Sequence, residues 1–302
     1  MLETMTEQTA SVPTHPTPVI IVGAARSGTN MLRDALAKLP GFATWDCDEI
    51  NPVWRNGRPL SDPDEFSAES LSPRQIGVIR NAFNKLAGRH PDARFLIEKT
   101  CANTLRLDAV DRAMPDAKYV RIIRHGHDVV ASAKKRWSGE LEVEAGSYFL
   151  SKVRNAPLAE IPKYAFHTLR NRIGRRLTGR SRLDTWGPRY AGIESDLDRP
   201  LEEICALQWR ASMAASDAFF EKLPEDRYVA LRYEDFVSDP VEGLKRIAAT
   251  LGAAPGADEL AAAVSDISVR SVGKGRKAGK GENESAAGQI MAPLLDRHGY
   301  TA

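Results

Sequence analysis

The chain has 302 residues, 42% of them apolar, with 42 Lys and Arg against 40 Asp and Glu, for a net charge of +2. This is enough for one large α/β domain or two small ones with a proper core, and near-neutrality argues against a protein that coats nucleic acid by bulk charge. The three cysteines, Cys47, Cys101 and Cys205, make neither a disulfide framework nor a zinc spacing, and no apolar run approaches the ~20 residues of a membrane span.

Met1–Pro18 is polar and lacks an apolar leader core, so it reads as a disordered tail. The expectation is a cytoplasmic, enzyme-like single domain over residues 19–302. From Pro18 the run PVIIVG suits a buried parallel strand. A glycine-containing turn follows, then helical spacing over Asn30–Leu39 at Met31, Leu32, Leu36 and Leu39. A second unit pairs a strand at Arg94–Glu98 with a helix at Leu105–Ala113. A third pairs Lys118–Arg124 with a helix from Asp128 to Arg136. The segment Pro200–Leu223 is helical by period, with Cys205, Trp209, Met213 and Phe220 on one apolar stripe. A last strand is expected at Arg227–Tyr233, and a helix at Pro240–Leu251 with proline at its start. Alternating strands and helices predict an α/β fold of three layers, a central and mainly parallel sheet with helices on both faces.

Between Gly139 and Pro200 this pattern dissolves. Lys163–Arg182 carries seven basic residues and no acid. It reads either as a solvated basic helix and loop or as a docking surface for an anionic or membrane-associated acceptor.

The first strand-to-helix turn, Gly23-Ala-Ala-Arg26-Ser27-Gly28-Thr29-Asn30, has the P-loop frame of four residues between two glycines. Backbone N–H groups and a helix N-terminus converge on an anion there, and the glycines allow close approach. The Lys and the Mg²⁺-binding hydroxyl of a triphosphate loop are replaced by Thr29 and Asn30, and a cation, Arg26, stands inside the loop. That pattern fits a group of lower charge than a γ-phosphate, used without a metal.

Arg26-Ser27-Gly28-Thr29 resembles the 5′-phosphosulfate loop of sulfotransferases that use 3′-phosphoadenosine-5′-phosphosulfate. Arg124 at the end of the third unit's strand, with Ser132 eight residues later, is similar to that family's 3′-phosphate site. Leu231-Arg-Tyr233-Glu-Asp235-Phe-Val-Ser-Asp239-Pro240 resembles its R-Y-E-D-L-x-x-D-P segment. Ser271-Val-Gly-Lys274-Gly-Arg276-Lys277 resembles its S-V-G-K-W-R closing loop, and Met291 to Tyr300 its M-A-P terminal segment. Glu98-Lys99-Thr100 and Trp186-Gly-Pro-Arg-Tyr190 have the look of the bacterial branch related to tyrosylprotein and carbohydrate sulfotransferases. The chain departs from the pattern at Gly275, where the loop usually has Trp, and at Cys101, where Pro is expected.

The resemblance implies sulfuryl transfer from 3′-phosphoadenosine-5′-phosphosulfate to a hydroxyl acceptor (sugar, glycolipid, phenol or peptide tyrosine) by metal-free in-line displacement, with adenosine 3′,5′-bisphosphate as product. It places Arg26, Ser27, Gly28, Thr29, Asn30, Arg124, Ser132, Tyr233, Ser271, Lys274, Arg276 and Lys277 at the donor. Lys99 is expected to protonate or neutralise the leaving oxygen, with an ion pair to Glu98 as its alternative role. Glu49 is the expected base, with Asp46 and Asp48 behind it, while His125 and His127 suggest surface or phosphate-site roles. Residues 139–200 are expected on the acceptor side, and 270–281, Gly-rich with five cations, as a segment folding over a polyanion. A P-loop kinase or nucleotide hydrolase, and a non-catalytic nucleotide-binding module of the same fold, are the competing readings. No nucleic-acid partner is expected, and the sequence leaves the oligomeric state open.

Overall fold

A computed structural model describes residues 15–138, 186–276 and 285–300. Its sheet contains β1 (Thr17–Val22), β2 (Phe42–Thr44), β3 (Phe95–Glu98), β4 (Lys118–Ile123) and β5 (Tyr228–Arg232), in the order β2-β3-β1-β4-β5. Every neighbouring pair is parallel, with Val19 opposite Ile97 and Lys118, and Ile122 opposite Leu231. Four of these strands match the expected ones. The three-residue β2 was not anticipated, because Phe42-Ala-Thr44 is too short to show alternation. β1 begins at Thr17, inside the segment read as tail.

The helices are α1 (Thr29–Ala37), α2 (Asn51–Trp54), α3 (Pro73–Arg89), α4 (Leu107–Ala113), α5 (Gly126–Trp137), α6 (Ile193–Asp196), α7 (Leu201–Phe220), α8 (Tyr233–Ser238), α9 (Pro240–Leu251), α10 (Ala257–Ala263) and α11 (Ala286–Arg297). α3 starts at a capping box in which Ser72 and Gln75 satisfy each other's backbone N–H, a device worth about 1 kcal/mol. α9 begins with Asp239 accepting from the Glu242 N–H and ends on Gly252 in the left-handed region.

Strand residues alternate between two cores. Val19, Ile21, Val120, Ile122 and Leu231 face Leu32 and Leu36 of α1 and Leu244 and Ile247 of α9. Ile20, Val22, Leu96 and Tyr119 face Ile79 and Phe83 of α3, Val110 of α4 and Phe219 of α7. These are the helix–sheet–helix layers expected of the fold class. A third cluster joins Trp137 of α5, Trp209 and Met213 of α7 and Met291 of α11. Cys205 is buried within it as a packing residue. Because all five strands run the same way, the residues following each of them gather at one edge of the sheet.

Candidate functional site

The turn after β1 holds two residues with positive φ, Arg26 at 74° and Gly28 at 89°. A left-handed arginine is strained, at a cost of roughly 1–3 kcal/mol, and such strain concentrates at functional turns. Gly28 is required twice over: a Cβ there would lie 2.6 Å from the Tyr233 ring. The Arg26 side chain turns towards α5, where its Nε donates to Ser132 Oγ at 3.0 Å. Burial, together with the positive charges of Arg136 and Arg124, holds the Arg26 guanidinium below its ordinary range. Three arginines thus share one site.

Arg124, just beyond β4, ties three segments together. It donates through Nη1 to the Arg26 carbonyl at 3.0 Å and through Nη2 to the Ser271 carbonyl at 2.7 Å, with its guanidinium 4.2 Å from the Tyr233 ring centre. Tyr233 Oη and Ser271 Oγ share a hydrogen bond of 2.6 Å. Arg124 and Ser132, expected to grip one phosphate, are therefore both linked to Arg26. The buried Arg124 Nε and Ser27 Oγ have no hydrogen-bond partner among the described residues.

On the other side of the turn, the loop after β2 meets the segment after β3. Lys99 is buried and donates to Glu49 Oε1 at 3.0 Å and to Asp48 Oδ1 at 3.2 Å. Glu49 Oε1 also accepts the Cys101 N–H at 3.2 Å, and Asp48 Oδ1 accepts from Arg33 at 3.0 Å. Burial opposes the charge on Lys99, yet the adjacent carboxylates of Glu49 and Asp48 more than reverse this and raise its pKa. The alternative partner, Glu98, is occupied elsewhere: its fully buried carboxyl accepts from Trp54, Thr100 and Asn103. Burial pushes that carboxyl up. Thr100 Oγ1 in turn accepts the Ile50 N–H at 3.2 Å, which pins the acidic loop beside Lys99.

These groups line a cleft of about 450 Å³. Of the residues expected from sequence, Arg26, Gly28, Thr29, Asn30, Glu49, Lys99 and Arg124 line it. Ser27, Ser132, Tyr233 and Ser271 support it from behind, Asp46 is exposed and away from it, and Lys274 is exposed on the neighbouring loop. Lys277 and the basic stretch at 163–182 lie outside the described residues. A surface role for the two histidines is corrected, because both are buried: His125 Nδ1 accepts the His127 N–H at 3.3 Å. Burial, Arg276 and His127 push His125 down to about 4, which leaves it neutral.

The sequence reading missed Arg136, Asn51 and Asp64, all of which line the cleft. Arg136 was findable, since it follows Ser132 by one helical turn on the same face. Asp64 was not. Its role comes from tertiary contacts with Arg55 (2.8 Å), Arg106 (3.5 Å) and the Arg189 N–H (3.0 Å), in a loop without periodicity. Arg189 joins this network directly after Trp186, Gly187 and Pro188, which also line the cleft and whose carbonyls at 186 and 188 accept from Gln208 of α7 at 2.7 and 3.1 Å. Gly275 is explained by a close approach to α5: a Cβ there would overlap the His127 carbonyl.

Solved structures of similar fold include the sulfotransferase domain of the Synechococcus PCC 7002 olefin synthase, at 18% identity and TM-score 0.57, covering 95% of this chain and 96% of that one. The sulfotransferase domain from the curacin biosynthetic pathway aligns at 15% identity and TM-score 0.53, covering 92% and 97%. Sulfotransferase STF9 from Mycobacterium avium aligns at 12% identity and TM-score 0.50, covering 95% and 77%. No curated protein matches the chain in sequence. The sulfotransferase family profile matches residues 18–180 and 166–255, most of the chain and all of the cleft-lining segments, so the chain belongs to the sulfotransferase family.

Proposed function

We propose that the protein transfers a sulfuryl group from 3′-phosphoadenosine-5′-phosphosulfate to a hydroxyl acceptor. The observation that carries this reading is the pairing of two charged arrangements in one cleft. Arg26, Arg124 and Arg136 gather around a left-handed phosphate-type turn, and Lys99 with Glu49 stands opposite.

The residues fit such a donor. Ser27 Oγ and Arg124 Nε are buried and unpaired among the described residues, as donors to an oxyanion would be. The N-terminus of α1, without a side-chain cap at Gly28, opens on the same cleft through Gly28, Thr29 and Asn30. When bound, the donor supplies a sulfuryl group already attached to a phosphate leaving group. Arg26 and the loop amides are placed to stabilise the charge that develops as that bond breaks. Arg124, Tyr233 and Ser271 hold the nucleotide end, with Lys274 and Arg276 nearby on the same loop.

Lys99 acts as a fixed cation, because its carboxylate partners keep it protonated; its role is to neutralise the leaving oxygen. Glu49 takes the proton of the acceptor hydroxyl. Asp48 is shared between Arg33 and Lys99, and Asp46 is not among the residues lining the cleft, so Glu49 is the acid of that loop best placed for the task. Alignment of hydroxyl, sulfur and leaving oxygen supplies the remaining rate enhancement.

The test is direct. The full chain should bind adenosine 3′,5′-bisphosphate without Mg²⁺ and sulfate at least one member of a panel of phenols, sugars and lipids, read by mass spectrometry. Arg26→Ala should abolish turnover. Failure of the wild type to bind the bisphosphate, or Mg²⁺-dependent ATP turnover in its place, would overturn the proposal.

A further inference from the structure

The segment 271–276 is held to the sheet edge mostly by its backbone. Ser271 meets Arg124 through its carbonyl and Tyr233 through its hydroxyl. Two residues further on, the Gly273 N–H donates to Asp128 Oδ2 at 2.8 Å, and the Gly275 N–H donates to Asp128 Oδ1 at 2.6 Å. The Asp128 side chain is fully buried, and Arg276 Nη2 stands 4.0 Å from Oδ2. Both carboxylate oxygens are thus engaged by a loop about 145 residues away in sequence, while the N-cap bond of α5 is left to His125.

Gly275 makes this clasp possible. A Cβ at that position would overlap the His127 carbonyl and lie 2.7 Å from the Asp128 nitrogen, both of them backbone atoms that cannot swing aside. The residue absent here, the tryptophan common to related loops, is sterically excluded by the loop's own attachment.

We propose that Asp128 is a positioning residue for the donor. It does not line the cleft, but it fixes the loop that carries Ser271, Lys274 and Arg276 at the nucleotide end. Hydrogen bonds to a charged, buried acceptor are about twice as strong as neutral ones. Removing them lowers the fraction of molecules whose loop is docked, and the apparent affinity for the donor falls by that fraction. The clasp is independent of what the protein binds, while its effect on the donor rests on the sulfuryl-transfer reading.

Two variants of the full chain test this, Asp128→Asn and Gly275→Ala. The second leaves every side chain of α5 in place, and so serves if the first does not fold. Hydrogen exchange read by mass spectrometry should show faster exchange in the peptide covering 269–276 in both variants, with β4 as protected as in wild type. The affinity for adenosine 3′,5′-bisphosphate should weaken roughly ten- to hundredfold, and the loss should fall on KM for the donor more than on kcat. Unchanged exchange at 269–276 overturns the clasp. Faster exchange with unchanged bisphosphate affinity overturns the positioning role. If wild type itself does not bind the bisphosphate, the donor reading fails and the positioning role falls with it, while the exchange data still judge the clasp.

Discussion

Replacing Lys99 by Met keeps the aliphatic stem and deletes one buried charge. The Lys99 side chain is 2% exposed, and its ammonium serves Glu49 at 3.0 Å and Asp48 at 3.2 Å. Without it, Asp48 keeps Arg33, and Glu49 keeps Cys101, through its N–H and its thiol. Each charge-assisted bond is worth about 1.5–3 kcal/mol when fully buried, but these carboxylates are 23% and 30% exposed and regain part of that from water. A net loss of roughly 2–4 kcal/mol follows, or about 3–6 °C in melting temperature for a chain of this size. The folded pKa of Lys99 lies above its ordinary 10.5, so its contribution is fully present below that value and is lost only as pH rises further. The wild-type minus Lys99→Met difference should therefore stay flat between about pH 6 and pH 9. Urea denaturation at both ends of that range checks this. A destabilisation below about 0.5 kcal/mol, or one that shrinks by pH 9, would refute the reasoning. A cycle with Glu49→Gln should show a coupling of about 1–3 kcal/mol, and additivity would mean that the pair does not act as drawn.

Two further predictions concern the α5 N-terminus. Gly275→Trp, which restores the residue usual in related loops, should weaken bisphosphate binding instead of improving it; tighter binding by calorimetry would contradict the close approach seen here. His125 has its pKa lowered from 6.5 to about 4, so the neutral ring favours the fold above 6.5, and that contribution is lost as pH falls towards 4. His125→Asn keeps a side-chain acceptor for the His127 N–H but cannot titrate, so the urea midpoint of the variant should fall less steeply than that of wild type over this range.

How much was legible depended on whether a signal was local. β1, β4 and β5 are apolar runs bounded by turn chemistry, and α9 is delimited by Asp239-Pro240 and Gly252, so their limits could be read closely. Arg26, Gly28 and Arg124 stand at strand ends, where a parallel sheet must collect them. The 17-residue α3 was overlooked even though Ser72 and Gln75 spell its cap, because its apolar face is sparse: Ile79, Phe83 and Leu86 are its fully buried residues. The partners of Lys99 and Asp64 could not be read at all. They depend on which loops a five-stranded order brings together, and β2, the strand that delivers Asp48 and Glu49, is three residues long.

The described part of the cleft also constrains how an acceptor can be chosen. Each of its carboxylates is matched: Asp48 by Arg33 and Lys99, Glu49 by Lys99, and Asp64 by Arg55 and Arg106. Arg26, Arg124 and Arg136 cluster where the donor is proposed to sit. A preference for an anionic acceptor would then draw on other charges, and the sequence's densest basic run outside that cluster is the acid-free 163–182 stretch. Reversing Arg175 and Arg176 to Glu should raise KM for a carboxylated sugar acceptor about tenfold while leaving its neutral counterpart unchanged. The effect should fade in ~1 M salt, where the Debye length is about 3 Å. Equal changes for both acceptors, or none for either, would show that this stretch does not select by charge.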